Sequence, residues 1–182
     1  MEKGQRILKE LTMADLLRRA GIVEDWQELM NLLEVQRRAG KRIVFTNGCY
    51  DILHPGHVDL LERARALGDI LVLGLNSDDS VRRQNKGEGR PFNPFEARAF
   101  VLAHLASVDF VTGFDEDTPL KLIRTLRPHV LVKGGDWSHD KIVGHEIVEA
   151  DGGKVYSLPL IDGYSTTALA KRIAELGRKG LM

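Results

Sequence analysis

The sequence lacks several features on which common binding sites and membrane proteins depend. Its 182 residues include a single cysteine, Cys49, which excludes an internal disulfide and a Cys-x-x-Cys metal site and suits a reducing compartment. No apolar run approaches the roughly 20 residues of a membrane span, and the charged start does not resemble a signal peptide. We therefore expect a cytoplasmic protein that does not bind membranes.

The chain also lacks net charge. Lys and Arg total 26 residues, as do Asp and Glu, so no overall field would attract nucleic acid, and an anionic ligand must be held by a local cluster. With 43% hydrophobic and 29% charged residues, the composition is that of an ordinary globular chain, for which one domain is the default. We expect a small-molecule partner and no nucleic acid.

From residue 41 onward, short apolar runs alternate with amphipathic segments. Strands are predicted at residues 42–46, 70–75, 109–112, 129–132 and 154–158. Helices are predicted near residues 57–67, 94–105, 118–126, 140–150 and 165–176. This alternation predicts an α/β fold, a Rossmann-like open parallel sheet of about five strands with helices on both faces.

The first 40 residues differ from the rest because they show only helical patterns. Asp25 can cap the second of two helical segments, and Gly40 ends it. We therefore divide the chain into a helical N-terminal extension, residues 1–40, and a domain, residues 41–182. This extension can pack on the domain or mediate dimerisation.

The loops that follow the predicted strands hold most of the unusual residues. In open parallel sheets, ligands bind beyond the carboxyl ends of the strands, where such loops converge. The loops in question span residues 46–57, 76–94, 133–141 and 162–167. We expect the functional site where they meet.

A His-Pro-Gly-His motif, from His54 to His57, stands between the first predicted strand and a leucine-rich helix. The sequence contains neither G-x-x-x-x-G-K-[ST] nor a G-x-G-x-x-G after a strand, so any phosphate must be bound by other means. Pro55 fixes the backbone direction, Gly56 lets the main chain approach a ligand, and both imidazoles would lie near an anion-favouring helix N-terminus. This arrangement indicates phosphoryl or nucleotidyl transfer, unless the motif is a plain turn with capping histidines.

Six segments, that motif included, resemble the H-x-G-H nucleotidyltransferase superfamily. Within it they are most similar to the D-glycero-β-D-manno-heptose 1-phosphate adenylyltransferase domains of ADP-heptose synthases. The segments are NGCYDILHPGHVDLLERARALGD, LNSDDSVRR, GRPFNPFEARAFVLAHLASVDFV, EDTPLKLI, VKGGDW and DGYSTTALAKRI. Together they cover roughly residues 40–175.

The resemblance implies transfer of AMP from ATP to heptose 1-phosphate, with release of pyrophosphate, in the synthesis of a lipopolysaccharide precursor. It implies Mg²⁺ held mainly by the ATP phosphates, with no metal ligand assigned to the protein. The sequence shows no counterpart of the sugar-kinase half of the bifunctional synthases, so we expect a separate heptose kinase to supply the substrate. We also expect a homo-oligomer, a dimer.

The resemblance also assigns roles to residues. The catalytic residues are expected to be His54, His57 and Lys133. The nucleotide-binding residues are expected to be Thr46, Asn47, Gly48, Cys49, Gly56, Gly134, Ser165, Thr166 and Thr167. The substrate-binding residues are expected to be Asp51, Asn76, Lys86, Arg90 and Asp136. Among them, Lys86 and Arg90 are candidates for closing over pyrophosphate or sugar phosphate, and Asp136 is expected near the substrate or its metal.

Several of these residues have a second interpretation. Ser165 or Thr166 can be a simple helix N-cap, although free N–H groups and hydroxyls at a helix start also bind phosphate. Asp51 can orient an imidazole, contact the sugar phosphate or cap the turn. Cys49 is interpreted as a small packing residue because no covalent intermediate is expected. The remaining histidines show no ligand spacing with one another and are interpreted as structural: His104, His129, His139 and His145.

Two other functions stay open from the sequence. One is a cytidylyltransferase for another sugar or polyol phosphate, and the other is a nucleotide-binding regulator without turnover. Residues 161–164, Ile-Asp-Gly-Tyr, differ from the Arg-Thr-containing segment of glycerol-phosphate cytidylyltransferases, which weighs against CTP. The intact histidine pair, Lys133 and the Ser-Thr-Thr run weigh against a pure regulator.

Overall fold

In this computed structural model, the described residues are 21–85, Gly87 and 89–181. They contain one parallel sheet in the order β3-β2-β1-β4-β5. The strands are β1 Ile43–Gly48, β2 Ile70–Asn76, β3 Phe110–Phe114, β4 Val130–Gly134 and β5 Lys154–Leu158. The predicted five-stranded α/β sheet is confirmed. Strands β1, β3 and β4 continue two residues past their predicted ends, because pairing with neighbouring strands overrides the low strand propensity of glycine and asparagine.

The helices are α1 Trp26–Arg38, α2 Pro55–Arg65, α3 Asp78–Arg83, α4 Phe95–Ala103, α5 Leu120–Leu126, α6 His145–Ala150 and α7 Thr166–Arg178. The short helix α3 was not predicted; Ser77 caps it, and aspartates at its start and arginines at its end complement the helix dipole. The helix predicted at 140–150 is split into a 3₁₀ turn, His139–Lys141, and α6. Within the described residues, no helix combines the length and apolar character needed to cross a bilayer.

Both faces of the sheet are covered, and strand β1 shows how its sequence achieves this. Val44 belongs to a buried cluster with side chains of α2 and α4. Its neighbours Ile43 and Phe45 belong to a second cluster, with side chains of α1, α5 and α6. Because successive strand residues point to opposite faces, a continuous apolar run is required for a strand buried on both sides.

The described part of the N-terminal extension packs into this core. Leu29 and Leu33 of α1 are fully buried. Residues 21–23 run parallel to β3, and Ile22 pairs with Val111 at its outer edge. Asp25 caps α1 as predicted, accepting a hydrogen bond of 2.8 Å from the backbone N–H of Glu28. The first predicted helix of the extension lies outside the described residues.

The strand order determines where loops can diverge to form a cleft. After β1 the chain places β2 and β3 on one side of it, and then returns to place β4 and β5 on the other. The loops after β1 and β4 therefore leave the sheet in different directions from adjacent strands. Such a reversal point is where open α/β sheets bind ligands.

Candidate active site

A pocket of about 340 Å³ opens at the carboxyl ends of β1 and β4, where the strand order reverses. Its walls are the loop after β1, the start of α2, the end of β4 and the start of α7. The predicted site residues that line it are Asn47, Gly48, Cys49, Asp51, His54, His57, Arg90, Lys133, Gly134, Ser165, Thr166 and Thr167. The fold thus brings together residues that are more than 100 positions apart in the sequence.

The two motif histidines form a stacked pair at the start of α2. His54 occupies the N-cap position and His57 lies in the first turn. Their ring centroids are 3.7 Å apart and the ring planes differ by 18°. A Cβ atom on Gly56 would lie 3.3 Å from two atoms of the His54 ring, so glycine here leaves room for that imidazole.

Burial keeps this pair neutral. It lowers the pKa of His57 to about 4, with a smaller contribution from neighbouring His54, and it also lowers the pKa of His54. Both rings are therefore uncharged at neutral pH, so they can stack without repulsion. Among the described residues, neither buried Nδ1 atom has a hydrogen-bond partner. The pair consequently offers N–H groups to an anion, whose charge would in turn raise both pKa values.

Lys133 projects from the end of β4 toward the same pocket. Its Nζ lies 3.5 Å from Oδ1 of Asn47 and 5.8 Å from the ring centroid of Trp137. A second pocket of about 140 Å³ adjoins the first, and Asn47 and Lys133 line both. The ammonium group of Lys133 can therefore contact a ligand in either pocket. At Gly134 a Cβ atom would lie 2.6 Å from Cδ2 of Leu60, so glycine allows β4 to pack closely on α2.

The three hydroxyl residues at the start of α7 have different contacts. Ser165 is the N-cap, because its Oγ accepts a hydrogen bond of 3.0 Å from the backbone N–H of Ala168. The Thr166 hydroxyl donates to the carbonyl oxygen of Ile52 at 3.2 Å and so ties α7 to the loop after β1. Thr167 Oγ1 lies 3.5 Å from a guanidinium nitrogen of Arg90. Of the three, Thr167 is left to serve a ligand in the pocket.

Asp51 anchors the loop that precedes α4. Its carboxylate accepts hydrogen bonds from Arg90 at 2.6 Å and from the backbone N–H groups of Phe92 and Asn93 at 2.7 and 3.0 Å. Burial alone would raise the pKa of Asp51, but these hydrogen bonds outweigh burial and lower it. The carboxylate therefore holds Arg90 against the pocket wall, a role that the sequence-based alternatives did not include.

Among the predicted nucleotide or substrate residues that the structure describes, three line neither pocket: Thr46, Gly56, which packs against the His54 ring, and Asp136. Thr46 is fully buried within β1. Asp136 is exposed, because the backbone N–H of Gly135 bonds to Leu158 of β5 and turns the following residue outward. The roles expected for these three residues stay predictions.

The other two predicted substrate residues are Asn76 and Lys86. Asn76 is buried and lines the second pocket, while its side-chain nitrogen donates to the Ser80 hydroxyl at 2.9 Å. It thus supports α3 from the end of β2. Lys86 lies outside the described residues.

Arg98 of α4 was missed by the sequence analysis, yet it joins the elements around the site. Its side chain is fully buried and pairs with Asp78 at 2.6 Å. It also donates to the backbone carbonyl oxygens of Cys49, Asn76 and Asn93 at 2.8, 2.9 and 3.0 Å. One guanidinium group therefore holds the ends of β1 and β2 and the loop that carries Arg90.

A signal for Arg98 was present in the sequence. Phe95, Arg98 and Leu102 share one face of α4, and that face packs against the core. A charged residue inside an apolar helical stripe is almost never buried without partners. Its partners could not be identified from the sequence, because they come from segments that are distant along the chain.

Comparisons with solved structures support the fold. The lipopolysaccharide core biosynthesis protein of Thermoplasma volcanium superposes with a TM-score of 0.56 and 25% identity, covering 69% of this chain and all of that protein. Pantoate-beta-alanine ligase of Francisella tularensis gives a TM-score of 0.53 at 15% identity, covering 86% of this chain and 78% of the other. The second similarity concerns the fold alone.

Sequence comparisons give higher identities. The bifunctional protein HldE of Syntrophotalea carbinolica is 54% identical over 154 residues, which are 85% of this chain and 31% of that protein. The protein of the same name from Rhodopseudomonas palustris is 52% identical over 174 residues, 96% of this chain and 35% of the relative. This chain thus spans about a third of the length of the curated relatives it matches.

A family model for cytidylyltransferase-like domains matches residues 45–171, from β1 into α7. The matched region contains the stacked histidines, Lys133 and the hydroxyl residues at the start of α7. The chain therefore belongs to the cytidylyltransferase-like family of nucleotidyltransferases, which confirms the family predicted from its motifs.

Proposed function

We propose that the chain is an adenylyltransferase that transfers AMP from ATP to D-glycero-β-D-manno-heptose 1-phosphate, giving ADP-heptose and pyrophosphate for lipopolysaccharide synthesis. The observation that carries this proposal is the convergence of His54, His57, Lys133 and Thr167 on one pocket. A set of N–H, ammonium and hydroxyl donors suits the phosphates of a nucleotide. The relatives named bifunctional protein HldE and the lipopolysaccharide core biosynthesis protein of Thermoplasma volcanium support the choice of sugar.

In the proposed reaction, an oxygen of the sugar phosphate attacks the α-phosphorus of ATP. A new oxygen–phosphorus bond forms, the bond from the α-phosphorus to its bridging oxygen breaks, and pyrophosphate leaves with the charge. The neutral imidazoles of His54 and His57 donate hydrogen bonds where that charge accumulates, and Lys133 supplies a positive charge beside them. Donors fixed by the fold need no rearrangement as the charge develops. Cys49, whose Sγ lies 3.3 Å from Oε1 of Gln84, takes no covalent part.

The residues that line the pocket are compatible with a Mg²⁺ ion that enters bound to the phosphates of the nucleotide. Among the described residues that line the pocket, Asp51 is the only carboxylate, and Arg90 and two backbone N–H groups already occupy its oxygens. Mg²⁺ prefers oxygen ligands and commonly binds through substrate phosphates. We therefore expect ATP to provide most of its ligands. When bound, the ion neutralises phosphate charge.

The acceptor is a sugar 1-phosphate, so a phosphorylating enzyme must make it first. We expect a heptose kinase activity to fill that role, and we expect the chain to act as a homodimer. Both expectations come from the family resemblance.

The proposal is tested by incubating the purified chain with Mg²⁺, heptose 1-phosphate and either ATP or CTP, and measuring the pyrophosphate that is released from the nucleotide. We expect kcat/KM to be at least about tenfold higher with ATP, a difference of roughly 1.4 kcal/mol in transition-state binding. Reactions without the sugar phosphate serve as the control. Faster release with CTP would identify a cytidylyltransferase instead, and no release with either nucleotide would favour a regulator.

The hydroxyl of Thr167 provides a test of the phosphate site itself. Thr167→Val keeps the side-chain shape and removes the hydroxyl, so the melting temperature of the free protein should stay nearly unchanged. We expect the additional stabilisation by ATP with Mg²⁺ to shrink, because that increment follows RT ln(1 + [L]/Kd). Paired thermal melts with and without nucleotide measure both quantities.

Ser165→Ala is the matched control for Thr167→Val. Loss of the cap should destabilise the free protein by about 1 kcal/mol while the nucleotide-induced increment is retained. An unchanged increment in Thr167→Val would show that Thr167 does not contact the phosphates.

A further inference from the structure

A cluster of three metal-ligating side chains lies after β4, outside both pockets. His139, His145 and Glu149 each offer one ligand atom, and these atoms all lie within 4.8 Å of one another. The two histidines are six positions apart in the sequence, which is not a spacing typical of metal ligands. The fold brings them together, because the 3₁₀ turn presents His139 to the helix α6 that carries the other two.

The local backbone holds this arrangement in place. Ile142, between the turn and α6, is 3% exposed and packs into the core, which anchors the segment that separates the two histidines. His145 and Glu149 are four residues apart on α6 and therefore share one helix face. The Nε2 atom of His139 lies 2.7 Å from Oε1 of Glu149, and the two imidazole centroids are 5.0 Å apart at 73°. The three side chains thus converge from backbone segments that the core and helix α6 hold in place.

The hydrogen bonding of His145 favours metal binding. Its Nδ1 lies 2.9 Å from the carbonyl oxygen of Ile142, which places the ring proton on Nδ1 and leaves the lone pair on Nε2. Metal-binding histidines characteristically donate their other N–H to a carbonyl or carboxylate, which fixes the tautomer and the ring orientation. His145 therefore has the support expected of a ligand.

The kind of cation follows from the donor atoms. Two imidazoles and one carboxylate suit Zn²⁺ and neighbouring transition metals, whereas Mg²⁺ and Ca²⁺ prefer oxygen ligands. Bonds of about 2.0–2.2 Å in a tetrahedral site place ligand atoms roughly 3.3–3.6 Å apart. The side chains of His139 and Glu149 are 54% and 44% exposed, so they are free to adjust by about that difference. A water molecule would complete the coordination.

We propose that His139, His145 and Glu149 form a binding site for a Zn²⁺-class cation. The ion would link the 3₁₀ turn to α6 across residues 141–143, and Lys141, Ile142 and Val143 line the second pocket beside Lys133. Binding would therefore fix one wall of that pocket. This metal site is separate from the pocket proposed to bind ATP, so metal binding can be measured without turnover.

The test is a titration of the full chain, stripped with a chelator and free of nucleotide, with Co²⁺ followed by visible absorption and then with competing Zn²⁺. We expect one Co²⁺ per chain, with the strong ligand-field bands of a four- or five-coordinate ion, displaced by Zn²⁺. His145→Ala and Glu149→Gln should each raise the Kd at least about tenfold, since even outer contacts of metal ligands contribute 10–100-fold to affinity. Thermal melts without metal check that both variants remain folded.

Two histidine variants separate this site from alternatives. His104→Ala alters a histidine whose Nδ1 contacts the carbonyl oxygen of Phe100 on α4, and the Kd should not change. His54→Ala alters the stacked pair in the active-site pocket, which could itself bind Co²⁺, and again no change is expected. Absence of the ligand-field bands would overturn the proposal. Equally, loss of binding in His54→Ala with retention in His145→Ala would assign the metal to the other pair.

Discussion

Replacing His57 with alanine is expected to lower kcat for pyrophosphate release by about 10²–10³-fold, the usual effect of removing one preorganised donor to a transition state. The ring is held by stacking on His54 and by a contact with Tyr50, whose centroid is 5.1 Å away. Its N–H group therefore points to a fixed place and contributes most when charge moves onto the leaving oxygen. ATP affinity, measured by titration, should change much less than kcat.

The control for His57→Ala is His104→Ala. This histidine lies at the end of α4, next to Phe100 and away from the pocket residues, and its replacement should leave kcat within about twofold. If His57→Ala kept kcat within a few-fold and only raised KM, the residue would bind substrate without acting on the transition state.

Replacing Arg98 with methionine is expected to lower the free energy of unfolding by about 3 kcal/mol or more. The change leaves Asp78, whose side chain is 28% exposed, without its partner, which costs less than the 3–5 kcal/mol typical of a fully buried ion pair. It also leaves carbonyl oxygens at the ends of β1 and β2 without their donor. Urea denaturation measures the change. Activity should fall as well in the remaining folded protein, because the loop that carries Arg90 loses one of its attachments at Asn93 and keeps only those to Asp51.

Arg83 provides the matched control for Arg98. It also pairs with an aspartate, Asp117, at 2.7 Å, but its side chain is 44% exposed. Exposed ion pairs contribute at most about 1 kcal/mol, so Arg83→Met should change the unfolding free energy by no more than that. Equal losses in the two variants would contradict the central position assigned to Arg98.

The sequence identified the parts of the site that lie where a strand ends. His54, His57 and Lys133 line one pocket, and the sequence could bring them together because apolar runs mark the buried strands and the carboxyl ends of parallel strands meet at one edge. Local signals sufficed for Asp25 as a cap as well. In each case the relevant contact depends on neighbours along the chain or on the order of elements.

Contacts between distant segments could not be predicted in this way. Asp51 was expected to orient an imidazole, contact the sugar phosphate or cap the turn, but its carboxylate binds residues about 40 positions later. Arg98 donates hydrogen bonds to backbone carbonyl oxygens at the ends of two strands. Every residue has such an oxygen, so the sequence does not show which of them accept. His139 and His145 meet because a 3₁₀ turn interrupts the predicted helix, and such short turns have weak sequence signals.

Helix α7 supplies one wall of the pocket, yet none of its side chains is buried. The opposite wall consists of the ends of β1 and β4, which lie in the core. Detaching α7 would expose little apolar surface, so it requires less free energy than global unfolding. It would break the contact between Thr166 and Ile52 while His54, His57 and Lys133 kept their supports. The pocket therefore has a floor held in the core and a wall, α7, that needs less free energy to detach. In the proposed reaction, we expect the bulky nucleotide sugar to leave on the α7 side, without disturbance of the sheet.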